Sequence, residues 1–384
     1  MGSQIETKSL GEIINLRRGH DLPIANMQEG DIPVIGSNGI IGYHNEHTTK
    51  APCLTVGRSG SVGKLFYSEV DSWAHNTSLY VDDFKGNNPK YVFYLLHTLN
   101  LGALHSGSVV PSLNRNYLHP LKIKCATDVN YQQKIAAVLS ALDAKIELNA
   151  RINAELESMA KTLYDYWFVQ FAPHKSAGGK MVWNEKLGKE IPEGWQVDSL
   201  GKVTKTNLGG TPSTKNPEYW ENATIPWLNS GDLTEFPIIK SSSFVTQKGV
   251  DNSATTILPK GSVVISLVRY IRPSIIALEA CANQSVVGIR ETKELKNSFI
   301  YPYLVNEVPR LMSLRTGAQQ PHINKETIDD SPICIPPTNI LNEYYKISEP
   351  IYKKIINVAF ESQTLTELRD WLLPMLMNGQ VKIV

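Results

Sequence analysis

"KSLGEI", residues 8–13, is echoed 190 residues later by "DSLGKV", residues 198–203, and that echo decides how the chain is organised. An internal repeat outranks any single motif, because duplication fixes domain number and architecture together. The echo continues along the chain. "DIPVIGSNGI" (31–40) is matched by "TIPWLNSGDL" (224–233). "PSLNRNYL" (111–118) is matched at an offset of 210 by "PHINKETI" (321–328), which sets Asn114 over Asn324 and Arg115 over Lys325. "YQQKIAAV" (131–138) is set over "EYYKISEP" (343–350) at an offset of 212, pairing Lys134 with Lys346 and Ile135 with Ile347. The offset grows, so the second copy is the longer in its globular part. Agreement at the ends and divergence in the middle imply one scaffold carrying two different surfaces.

Each copy ends in a long helical pattern. Ile135, Leu139, Leu142, Ile146, Ile152, Leu156, Met159 and Leu163 follow spacings of mostly three and four, with polar Asn149 at one seam position. Ile351, Ile355, Val358, Leu365, Leu368, Leu372 and Met375 do the same in the second copy, where Pro350 suits a first helical turn. A helix of this length with so narrow an apolar stripe needs a partner in water, and the other repeat's helix, packed antiparallel, is the simplest one. The 38 residues of 131–168, at about 1.5 Å each, give a rod of roughly 57 Å. That exceeds one turn of B-DNA, about 34–36 Å.

The intervening parts, 1–130 and 198–339, read as short strand-like runs such as "APCLTVG" and "GSVVISLV" broken by Gly, Asn and Pro, which predicts an α+β fold with strands dominant. Helical segments 131–168 and 340–384 follow them. Residues 169–197 form a linker, with a flexible polar crossing at Ser176–Lys180 and a turn at Pro192–Gly194.

Composition narrows the function. Hydrophobic residues at 42% and charged ones at 20% describe an ordinary globular chain able to bury real cores. Net charge is +1, with 11 basic and 11 acidic residues in 1–130 and 14 and 13 in 198–339, so a polyanion site must be a local patch. Cys53, Cys125, Cys281 and Cys334 form no CxxC pair, which argues against a zinc site or a disulfide framework and for a reducing cytoplasm. The start has no signal-peptide pattern and no long apolar run follows, so neither export nor membrane insertion is expected.

With these pieces in place, the sequence closely resembles the specificity subunit of type I restriction-modification systems. The resemblance is carried by "IPEGWQVDSLGKV" (191–203), "LGGTPSTKNPEYWENATIPWLNSGDL" (208–233), "KTLYDYWFVQF" (161–171) and "LTELRDWLLPMLMNGQVKI" (365–383), and it covers the whole chain. Two departures stand out: "LKIKCATDVNYQQKI" lacks the proline-rich step usual after the first domain, and "ICIPPTNILNEYYKI" keeps the prolines but loses the usual glutamine. The resemblance implies two target-recognition domains, 1–130 and 198–339, separated by two long antiparallel helices that form a coiled-coil spacer. Each domain would read one half of a bipartite, asymmetric double-stranded DNA site. The helices would bind two methyltransferase subunits, with restriction subunits joining in the full complex. Catalysis would lie elsewhere, with S-adenosylmethionine, ATP and Mg only on partner subunits. A stand-alone bivalent DNA-binding regulator is the alternative with the same fold.

Tests for catalytic motifs agree. "NPKY" (88–91) and "NPEY" (216–219) lack the second proline of an adenine-methyltransferase loop. "TVGRSGSVGKLF" (55–66) resembles a nucleotide cradle, yet five residues separate Gly57 from Gly63 and Leu65 stands where a metal-binding hydroxyl belongs. The nine histidines show no metal-ligand spacing. Contact with DNA wants Lys, Arg, Ser and Thr for phosphates and paired donors or acceptors for base edges. The candidates in the first domain are Arg17, Arg18, Arg58, Lys64, Asn114, Arg115 and Asn116. Those in the second are Thr211, Ser213, Lys215, Arg269, Tyr270, Arg272, Gln319, Gln320 and His322. Plain structural roles compete with some of them: a solvated strand end for Arg17 and Arg18, turn chemistry for Thr211 and Ser213, and a shared turn for Asn114 and His322.

Overall fold

The computed structural model describes residues 5–104, 112–317, 319 and 321–383. They fall into two compact units, Met1–Glu147 with Thr364–Val384, and Leu148–Gln363.

Unit 1 runs β1 (Ile5–Ser9), α1 (Leu10–Ile13), β2 (Asn15–Arg18), β3 (Ile32–Gly36), β4 (Gly39–His44), β5 (Cys53–Gly57), β6 (Leu65–Ser68), β7 (Trp73–Ala74), β8 (Ser78–Asp83), α2 (Pro89–His97), α3 (Arg115–Leu118), β9 (Lys122–Ala126) and the start of α4 (Val129–Tyr164). Its sheets have the orders β2-β8-β5-β6, β4-β3-β7 and β1-β9. Strand β5 is buried along its whole length, which explains why "CLTVG" is apolar or small throughout rather than alternating. Pro89 opens α2 and the Asn88 side chain accepts the Tyr91 N–H at 2.9 Å, so "NPKY" is a helix start. Leu10, Leu16, Leu54, Tyr91 and Leu96 centre the core, which also takes in Leu376 and Met377 near the chain's other end.

Unit 2 opens with the end of α4, a π-helical turn at Asp165–Val169, and α5 (Ala172–Ser176). Then come β10 (Met181–Asn184), β11 (Lys189–Pro192), β12 (Gln196–Ser199), α6 (Leu200–Val203), β13 (Lys205–Leu208), β14 (Ile225–Leu228), β15 (Phe244–Val245), α7 (Gln247–Asp251), β16 (Val263–Ser266), β17 (Pro273–Ile275), β18 (Cys281–Ala282), β19 (Val286–Arg290), α8 (Asn297–Ser313), α9 (Lys325–Asp329), β20 (Pro332–Ile335) and α10 (Thr338–Met377). The sheet orders β13-β19-β16-β17, β15-β14-β18 and β12-β20 reproduce those of unit 1 strand for strand, including the parallel pairs β3-β7 and β14-β18. Topology alone therefore shows the duplication.

Helices α4 and α10 run antiparallel. In unit 1 Arg369 pairs with Asp143 at 2.9 Å. In unit 2 the Asn149 amide donates to Glu361 at 3.0 Å and that of Asn153 to the Ile355 carbonyl at 3.3 Å, so rising numbers on one helix meet falling numbers on the other.

Four readings of the sequence change. The pairing of Ile135 with Ile347 is out of register: Ile135 is fully buried and Ile347 is 47% exposed, whereas buried Tyr344 follows the start of α10 as Ile135 follows that of α4. Pro350 lies inside α10, not at its first turn, because the helix starts directly after Pro336 and Pro337; Pro350 has no N–H to give the Lys346 carbonyl. Within 169–197 the chain is built rather than merely flexible, since α5 and the β10–β11 hairpin occupy much of it. Met159 and Leu368, assigned to the seams, are exposed at 48% and 39%.

Candidate nucleic-acid interface

Unit 1 carries a cleft of about 440 Å³ lined by Arg17, Arg18, His20, Arg58, Leu79, Tyr80, Ser112, Leu113, Asn114, Arg115 and Asn116. Sheet register explains the convergence. Arg17 and Arg18 end β2 opposite Tyr80 and Leu79 of β8, and Thr55 of β5 also faces Tyr80. The residue after β5 is Arg58. Its N–H donates to the Thr77 carbonyl at 2.8 Å and its own carbonyl accepts the Leu113 N–H at 2.9 Å, which brings the 112–116 segment against the strand end.

Charge is distributed unevenly around this cleft. The Arg17 guanidinium pairs with Asp82 at 3.0 Å. Arg18, Arg58 and Arg115 have no side-chain hydrogen bond or ion pair among the described residues, and of these Arg58 is half-buried while the other two are exposed. Burial, with Asp82 close by, holds the Tyr80 hydroxyl above its ordinary range. The Asn114 oxygen caps α3 by accepting the Asn116 N–H at 3.0 Å, so this side chain has a structural task as well as a place in the cleft.

Lys64 is not among the residues lining the cleft. Its ammonium is held by the Asn38 side chain at 2.7 Å, on the β3–β4 turn. The glycine run around it is a hairpin turn in which Gly60 and Gly63 take φ of +81° and +80° and strand β6 follows, where a nucleotide cradle would lead into a helix.

The second unit builds a different surface at the same places. Matching hydrogen bonds, Leu113 N–H to Arg58 and Ile323 N–H to Leu267, put Leu267 where unit 1 has Arg58. By strand register Asn207 and Leu208 replace Arg17 and Arg18, and Gly288 replaces Tyr80. A Cβ on Gly288 would meet Leu258 at 2.4 Å, so Leu258 fills the space of the tyrosine.

The cations of unit 2 sit instead on the β16–β17 turn. Arg269 adopts φ +59°, its N–H donates to the Pro321 carbonyl at 3.0 Å, and its own carbonyl accepts from Arg315 at 2.5 Å. The Ser266 hydroxyl donates to the Tyr270 carbonyl and accepts the Arg272 N–H, closing the turn. Buried Ile271 anchors it, while Tyr270 is 63% exposed with the Arg272 guanidinium 5.0 Å from its ring centre.

The remaining candidates are more dispersed. The Thr211 hydroxyl donates to the Gln284 side chain, tying its loop to the β18–β19 turn, and the Ser213 carbonyl accepts the Trp220 indole N–H at 3.2 Å within its own loop; Lys215 is exposed beside them. His322 exchanges backbone hydrogen bonds with Thr316 at 2.9 Å. Gln319 is exposed, and Gln320 lies outside the described residues. Sequence reading missed His20 and Tyr80, and Arg315 as the brace of Arg269. Tyr80 carried no signal in the sequence, because β8 is buried from Ser78 to Val81 without alternation and only its register against β2 sets Tyr80 opposite Arg17.

Among the described residues no cluster of His, Cys, Asp and Glu is placed to hold a metal ion, and no helix is long and apolar enough to cross a membrane. A family model described as the type I restriction modification DNA specificity domain matches residues 2–158 and 192–368, one match in each half of the repeat. The chain belongs to this family. The MjaIX specificity subunit of a type I restriction enzyme from Methanocaldococcus jannaschii is 29% identical over 98% of this chain and 92% of its own length. The EcoR124I/EcoR124II specificity subunit from Escherichia coli is 26% identical over 92% and 87%. The crystal structure of the type I restriction-modification S subunit from M. genitalium shares the fold, with a TM-score of 0.65 at 17% identity over 97% of this chain and 96% of that one. As a member of the family the chain supplies DNA sequence specificity and has no catalytic activity of its own.

Proposed function

We propose that this chain reads double-stranded DNA as two half-sites, one per repeat, within a complex whose methylation and cleavage are performed by other subunits. The observation carrying the reading is that one topology occurs twice with different side chains at equivalent positions: Arg17, Arg18 and Arg58 in one copy, Asn207, Leu208 and Leu267 in the other. Two copies of one surface would suit a palindrome; two unlike surfaces suit a bipartite, asymmetric site. Residues 1–130 and 198–339 form the two recognition domains, with the cleft of the first and the Arg269–Arg272 turn of the second facing DNA. Helices α4 and α10 space them and scaffold two methyltransferase subunits, and restriction subunits join the full complex. S-adenosylmethionine, ATP and Mg then belong to those partners, all acting in the cytoplasm.

The test is to express the chain with its methyltransferase subunits and map methylated adenines across the host genome. A motif of two short defined blocks separated by a fixed undefined gap is the expected result. A single continuous motif overturns the two-half-site reading, and methylation by the purified chain alone overturns the non-catalytic one.

A further inference from the structure

The cleft of unit 1 holds one cation that differs from the others. Arg17, Arg18 and Arg115 are exposed at its rim, where a phosphate backbone is within reach of long side chains; Arg58 is recessed and half-buried. Its backbone is fixed on both sides, by Thr77 and by Leu113. Its guanidinium has no acceptor among the described residues, so its five donors are available to a ligand. An unpaired planar fork, less exposed than the other arginines of a polar cleft and carried on a backbone fixed from both sides, fits a pair of acceptors in one plane. In the major groove guanine alone among the bases presents two acceptors side by side, O6 and N7.

We infer that Arg58 reads a guanine in the half-site recognised by unit 1. This rests on the two-half-site reading and adds the base. The second unit has buried Leu267 at the equivalent position, so the rule applies to one half-site only.

The experiment compares the wild-type complex with Arg58→Ala and Arg58→Lys, each assembled with methyltransferase subunits, by genome-wide mapping of methylated adenines and by binding to duplexes of the mapped site. The wild-type motif has a required G·C pair at one position of the half read by unit 1. Both variants relax that position and leave the other half intact, with discrimination there falling about 5- to 150-fold. Arg58→Lys is the decisive variant, because it keeps the charge and loses the fork. Replacing that guanine by 7-deazaguanine, which lacks N7, weakens wild-type binding and does nothing further to Arg58→Ala.

Unchanged thermal melting shows that the variants are folded. If the motif stays bipartite and both variants keep its sequence while methylation falls evenly at all sites, Arg58 touches phosphate and the inference is overturned. An unchanged map and unchanged binding overturn it too. A wild-type map without two blocks instead overturns the underlying reading.

Discussion

The Gln132 side chain is fully buried in unit 1 and satisfied at both ends: its amide donates to Asn87 at 2.7 Å and to the Ala126 carbonyl at 2.8 Å, and its oxygen accepts the Asn88 N–H at 2.8 Å. One residue thus ties the end of β9 and the start of α2 to the first turn of α4. Where the second copy keeps prolines before its helix, it has buried Leu341 at the matching position. The first copy replaces the proline step by Asp128, whose side chain accepts the Asn130 N–H at 2.8 Å. Gln132→Leu leaves a buried N–H and a buried carbonyl unpaired, so we expect a loss of about 2–4 kcal/mol, seen as a lower urea midpoint for unit 1. A loss below about 0.5 kcal/mol would show that water enters and takes over those bonds. Sequence reading found the residue types of the cleft but not their division of labour. Arg17, Arg18, Arg58 and the 114–116 run were legible as polar and basic loop residues. That Arg58 is recessed while Lys64, six residues on, is held by Asn38 depends on a hairpin whose register no local pattern encodes.

At the scale of elements, the helical period was legible because α4 and α10 each bury a stripe over ten turns or so, long enough for spacing to average out irregularities. The starting register of α10 was not, because the buried positions of its first turns include tyrosines, Tyr344, Tyr345 and Tyr352, which an aliphatic pattern overlooks. Asn149 is the polar seam position. It is 1% exposed, donates to Glu361, and its own oxygen has no partner. An orphaned buried acceptor costs stability, and a single polar residue in a helical seam is kept where it fixes register. Asn149→Ile removes the orphan together with the bond from Asn149 to Glu361. The expected result is a gain of about 1 kcal/mol, a rise in melting temperature of roughly 2–4 °C for a unit of this size. A fall in melting temperature would mean that the bond to Glu361 outweighs the unpaired oxygen.

For the whole molecule, the unit boundaries decide which segment can be exchanged. Unit 1 is completed by residues from 364 onward, with Leu376 and Met377 buried in its core and the Tyr131 hydroxyl on the Val381 carbonyl at 3.5 Å, so both chain ends must remain for that unit to fold. The block 198–339 lies wholly inside unit 2. The duplication that marks it out was legible in sequence because its two ends agree, while the unlike surfaces between them were not, since topology is what aligns Arg58 with Leu267. Its seam with the retained helices combines apolar packing, Phe299 against Tyr164 and Phe168, which a homologous donor block must match, with bonds to backbone that any donor block offers: Tyr344 donates to the Ser298 carbonyl at 2.7 Å and Tyr345 to the Glu294 carbonyl at 2.8 Å. Side-chain contacts such as Tyr301 with Glu157 and Asn306 with Asp165 depend on the donor, and their loss costs on the order of 1 kcal/mol each. Replacing 198–339 by the corresponding block of a relative should therefore give a folded chain that still assembles. Its methylation map should keep the half-site read through Arg58 and the gap between the halves, and change the other half alone. A new motif altered in both halves, from a chain that melts as the parent does, would show that the two repeats do not read DNA independently.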